Sequence, residues 1–202
     1  MNVLFSNPED YWAVFLDGDK LALDHIVKTH YNLLYNYGRK FSTDVNLVKD
    51  CIQELFLSLW RNRENTGQPA SVKHYLLKAM RRRLQTALAR LSKQQVIDIS
   101  FIPIEASAGT SPESDRVQNE NKTELNSKIV KAFSCLPARQ QEIIYLRFCL
   151  QADAANIAQI MGLSRQSVYN LLKLALDRLR EVSVTLFEQG STLRMPGTMM
   201  VV

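Results

Sequence analysis

The stretch AANIAQIMGLSRQSVYNLLKLALDRLRE, from Ala154 to Glu181, constrains the fold more than any other part of the chain. Ile157, Ala158 and Met161 share one side of a short helix, and Gly162 ends it where the backbone needs a positive φ. Ser164 stands at an N-cap position ahead of a second apolar series, Val168, Leu172, Ala175 and Leu179. A short helix, a tight turn with Gly and a longer helix make a helix-turn-helix. The second helix of such a unit can enter a DNA major groove. Its outward side chains here are Arg165, Gln166, Tyr169, Asn170 and Lys173, which can bond base edges and phosphates. A plain helical hairpin inside a core is the alternative. The tight Gly break and the polar outer face, continued by Arg178 and Arg180, argue against it.

Strand signals are nearly absent elsewhere, so the fold class is all-α: two small helical domains joined by a flexible linker, the C-terminal one a helix-turn-helix. Helices are predicted over Asp10–Leu16, Leu21–Phe41, Val45–Arg61 and Val72–Leu91. The third carries the stripe Val48, Ile52, Leu55, Leu59, and the fourth Val72, Leu76, Met80, Leu84, Ala87, Leu91. From Gln94 to Lys122 the periodicity lapses into Ser, Gly, Pro and acids, as in an interdomain linker, although Val96–Ile104 is apolar enough to dock on something. Helical pattern resumes with Leu125, Ile129, Phe133 and Leu136 on its inner face. Pro137 then opens a helix through Ile143, Ile144, Leu146 and Phe148. The reading is a domain at 8–93, a linker at 94–122, a domain at 123–187 and a mobile tail at 188–202.

Charge is unevenly spread. Residues 1–60 hold five Lys/Arg against eight Asp/Glu, residues 61–93 hold nine against one, and residues 94–124 hold two against six. In the basic block, Lys78, Arg81, Arg82 and Gln85 fall at i, i+3, i+4 and i+7, widened by Lys73, Arg83 and Arg90. A cationic row with no acid between Glu64 and Asp98 repels itself unless an anion is present, which favours nucleic acid over mere solvation. The third helix presents Asp50, Gln53, Glu54, Leu57 and Arg61 instead, a face suited to a protein partner.

Cys51, Cys135 and Cys149 form no CxxC pair and read as small buried hydrophobes in a reducing compartment. No signal peptide or membrane-length apolar run is visible, so a cytoplasmic location is expected. His25, His30 and His74 lack metal-site spacing, and there is no phosphate-binding Gly-rich loop. No enzyme activity, catalytic set, cofactor, metal or small-molecule substrate is expected.

Three segments together resemble the extracytoplasmic-function (ECF) sigma factors, the small two-domain class of the sigma-70 family of bacterial RNA polymerase subunits. DCIQELFLSLW at Asp50–Trp60 is similar to that family's polymerase-binding segment, and HYLLKAMRRRLQTALAR at His74–Arg90 to its minus-ten helix. LPARQQEIIYLRF with the helix-turn-helix is similar to its minus-thirty-five domain. The likeness spans about residues 8–184. It implies that Asp50, Gln53 and Glu54 bind core RNA polymerase, with Phe56 packed internally. It implies that Lys73, Lys78, Arg81, Arg82, Arg83 and Gln85 serve the minus-ten element. By the same likeness, Asn62–Ser71 captures an extruded base, and Arg165, Gln166, Tyr169, Asn170 and Lys173 read the minus-thirty-five element. Arg82 stands where Asn is common in the family, and Ala89 where a basic residue is. The implied partners are core RNA polymerase, promoter DNA and an anti-sigma factor, often membrane-anchored. A stand-alone helix-turn-helix regulator and a helical adaptor without DNA binding are the alternative readings.

Overall fold

A computed structural model describes residues 8–92 and 128–191. Those residues form helices and connecting turns, with no strand among them. In the N-terminal unit, α1 spans Pro8–Leu16, α2 Lys20–Gly38, α3 Val45–Arg61 and α4 Val72–Ser92, with one 3-10 turn at Arg63–Asn65. The C-terminal unit contains α5, helical over 128–134, then α6 at Ala138–Ile144 and a wider π turn at Tyr145–Cys149. Next come α7 at Ala154–Met161 and α8 at Arg165–Ser191. The expected linker 94–122, including Val96–Ile104, lies outside the described residues, as do Leu125 and the tail beyond Ser191.

Side-chain caps set several of these helix starts. Asp19 accepts from the Leu21 and Ala22 amides, Asp44 from Asn46 and Leu47, and Asp153 from Asn156. Ser164 Oγ accepts from the Ser167 amide at 3.0 Å. Each such cap contributes about 1 kcal/mol by satisfying amides that have no intrahelical partner. Gly162 closes α7 at φ 67°, ψ 42°, the left-handed conformation the sequence pattern requires.

The N-terminal core is built on Trp12, Phe15, Ile26, Leu34, Tyr37, Ile52, Leu76 and Met80, all fully or almost fully buried. The α3 stripe Val48, Ile52, Leu55 and Leu59 is buried as its spacing predicts, and so is Phe56. On α4 the buried side takes Leu77 and Leu88, whereas Leu91 is exposed and Ala87 half-buried. In the C-terminal unit Leu136, Ile143, Leu146, Ile157, Met161, Val168 and Ala175 make the core. Ala132 and Phe133 face inward there, while Ile129 and Phe148 are exposed, contrary to the simple period. The π turn at Tyr145–Cys149 interrupts the α period and leaves Phe148 and Cys149 outside. Cys135 is also exposed and only Cys51 is buried, which corrects the reading of all three as core residues. Helix α8 continues to Ser191, past the expected end at Phe187, because propagation needs only one backbone bond per residue.

The two units are not held apart. Helix α4 packs on α7, and buried residues of both units join in one apolar cluster. This contact brings the basic helix against the C-terminal unit.

Candidate nucleic-acid interface

Helix α8 starts immediately after the capped turn. Arg165, Gln166, Tyr169, Asn170 and Lys173 are all exposed, while Val168 between them is fully buried. The Gln166 side-chain amide donates to Asn170 Oδ1 at 3.1 Å, so two amide groups suited to adenine are already aligned.

The basic row on α4 is split. Lys78 and Arg82 are exposed, and Gln85 is half-buried. Arg83 reaches Glu54 Oε2 on α3 at 3.3 Å. Lys73 Nζ donates to the Leu150 carbonyl at 3.0 Å, across to the other unit. Arg81 departs most from the expected solvated stripe, with only 7% of its surface exposed. Its Nε lies 2.7 Å from Glu142 Oε1, and Nη2 lies 3.1 Å from Oε2. The Tyr37 hydroxyl donates to the same Oε1 at 2.7 Å. Burial pulls the Arg81 guanidinium down, but bonding to and attraction by Glu142 outweigh it, so the net shift is upward. Burial raises the Tyr37 phenol well above its ordinary value, and the adjacent Glu142 charge adds to this. Tyr145, stacked on Tyr37 with centroids 6.3 Å apart, is pushed up to about 12, chiefly by burial.

Tyr37 and Glu142 were not legible as site residues in the sequence. The available signal was an acid, Glu142, directly before the apolar run Ile143–Leu146.

On α3, Asp50, Gln53 and Glu54 are exposed together, beside the exposed Leu57. An apolar groove between α2 and α3, about 600 Å³, adjoins them and is lined by Val27, Tyr31, Phe56, Leu57 and Trp60. The loop Asn62–Ser71 is pinned near its start and at its middle. Arg63 stacks over Trp60 at 4.8 Å, and Trp12 Nε1 donates to the Gly67 carbonyl at 3.3 Å. No group of metal-ligating side chains occurs among the described residues, and no helix there is long and apolar enough to cross a membrane.

An exposed helix-turn-helix, a second basic helix and a separate acidic-apolar helical face define a helical protein built to meet DNA and a protein partner. Residues 26–94 match Sigma-70 region 2, and residues 127–179 match Sigma-70, region 4. The chain belongs to the sigma-70 family, whose members bind core RNA polymerase and direct promoter-specific transcription initiation. It is similar to Bacteriocin UviA of Clostridium perfringens, 22% identical over 182 residues, covering 82% of this chain and 92% of that protein. Among solved structures it shares its fold with CnrH in complex with the cytosolic domain of CnrY, at a TM-score of 0.58 and 16% identity, covering 87% of this chain and 96% of that one. It likewise resembles the sigma factor RpoE of Bartonella quintana in complex with the anti-sigma factor NepR. There the TM-score is 0.57 at 16% identity, covering 79% and 94% of the two chains.

Proposed function

We propose that this sigma factor divides promoter reading between its two units. Residues 123–187 read the minus-thirty-five duplex through Arg165, Gln166, Tyr169, Asn170 and Lys173. Residues 8–93 hold the minus-ten element through Lys73, Lys78, Arg81, Arg82, Arg83 and Gln85, and bind core polymerase through Asp50, Gln53 and Glu54. Residues 94–122 join the two units. The observation that carries this reading is the outward, exposed polar face of α8 directly after the αL turn at Gly162. Nucleotide chemistry is left to the polymerase, so the factor itself needs no catalytic residues, and its place of action is the cytoplasm.

An anti-sigma protein is a further proposed partner. RpoE of Bartonella quintana, a chain of the same fold, is seen in complex with the anti-sigma factor NepR, which supports this reading. The test of the assignment is run-off transcription with purified core polymerase and genomic fragments. A factor that neither co-purifies with core enzyme nor directs a specific start rules out the site assignments.

A further inference from the structure

We propose that Glu142 is a built-in competitor for promoter DNA: by clasping Arg81, it keeps the C-terminal unit folded over part of the minus-ten surface until the factor opens. The inference rests on the proposed role of α4. Arg81 and Glu142 are 7% and 2% exposed, so neither bond is a surface ornament. The carboxylate engages the guanidinium through two parallel bonds, and this is the edge a phosphate would use. Tyr37 completes the clasp from α2, so the N-terminal unit supplies two donors and the C-terminal unit the acceptor. A second basic side chain of the same surface, Lys73, is also taken up, by the Leu150 carbonyl.

The arrangement is two-state by construction. Closed, the ion pair is buried with its hydrogen bonds made. Open, both charges return to water and Arg81 is released to bind phosphate. An intermediate that separates the charges while keeping them buried is strongly disfavoured. The recognition face of α8 stays exposed in the closed form. The clasp therefore withholds minus-ten binding while leaving minus-thirty-five reading untouched. Apparent affinity for melted strand is reduced by the fraction of molecules that are closed.

The test uses the full chain and a fluorescein-labelled, mixed-sequence single-stranded oligonucleotide. Glu142→Gln removes the counter-charge, Tyr37→Phe removes only the hydroxyl, and Asp24→Asn on the exposed face of α2 gives the effect of losing one charge. Glu142→Gln is expected to bind the strand about tenfold tighter than Asp24→Asn does, with Tyr37→Phe between them. Small-angle scattering is expected to show a larger radius of gyration for Glu142→Gln. Should Glu142→Gln fail to fold, by circular dichroism, Tyr37→Phe decides the question by the same two readings. Strand affinities and radii that match the Asp24→Asn baseline overturn the clasp. Run-off transcription in parallel separates this from the wider reading. Wild-type protein that initiates normally beside an unchanged Glu142→Gln sinks the clasp alone, whereas wild-type protein that never initiates sinks the assignment beneath it.

Discussion

Arg83 Nη1 on α4 lies 3.3 Å from Glu54 Oε2 on α3, so the basic helix and the acidic helix touch through one ion pair. The pair joins a residue proposed to meet DNA with one proposed to meet polymerase. Its side chains are 29% and 73% exposed, and exposed pairs contribute little to stability. Glu54→Gln is therefore expected to change unfolding free energy by less than about 0.5 kcal/mol. The same change is expected to slow association with core polymerase and flatten its salt dependence, as loss of a peripheral charge does. Biolayer interferometry at several salt concentrations checks this. An unaltered on-rate would remove Glu54 from the polymerase-binding surface.

On the recognition helix, Gln166 and Asn170 already bond each other, so they are expected to act as a unit. Replacing either with Ala should cost about 1–3 kcal/mol of discrimination against a scrambled minus-thirty-five duplex. The double variant should cost less than the sum of the two, since each single change already breaks the shared bond. Lys173→Ala should instead weaken all duplexes alike and lower the salt slope by about one. Competition binding with matched and scrambled duplexes distinguishes the two behaviours. Additive effects at Gln166 and Asn170 would mean that the pair does not present a joint surface.

This part of the molecule was readable from sequence because its signals are local. The bounds of α3, the left-handed Gly162 and the Ser164 cap each depend on residues a few positions apart. The burial of Arg81 depends on Glu142, which is 61 positions away, and the Tyr37 bond spans 105. Helical periodicity finds an apolar face, but α4 also buries one charged side chain, Arg81. A cationic stripe in sequence does not reveal that a distant acid covers its middle. The exposed Phe148 and Cys149 were missed for a different reason. The π turn breaks the 3.6-residue period on which the inward reading relied.

Gly38 ends α2 where that helix meets α3 and α4. A Cβ there would lie 2.7 Å from Val48 Cγ1 and 2.9 Å from Met80 Cε. Met80 is flexible enough to move, but Val48 is fully buried and stiff at χ1. Gly→Ala inside a helix would ordinarily gain up to about 1 kcal/mol. Overpacking a filled core costs about 1–3 kcal/mol, so the clash is expected to win. Urea denaturation of Gly38→Ala should show a lower midpoint with an unchanged m-value. A higher midpoint would mean that α2 can shift away from Val48.

Two histidines are expected to make stability sensitive to mild acid. His30 is held below its usual value chiefly by burial, opposed by its bond to the Ile26 carbonyl and reinforced by His25 and Lys73. His74, on the helix that packs against α7, is also lowered chiefly by burial and then by Lys73, against Asp153 and Asn156. The unfolded chain therefore binds protons at these sites first, near pH 6.5, where histidine ordinarily titrates. Their contribution is fully present above about pH 6.5 and is lost as pH falls through the lower folded values. The thermal midpoint is expected to drop between about pH 7.5 and 5.5, a range above most carboxylate titration. His74→Gln should remove part of that slope. Because His74 lies on the helix that contacts α7, the loss should coincide with exposure of that contact to hydrogen exchange. A midpoint that stays level across this range would show that neither imidazole is kept neutral by the fold.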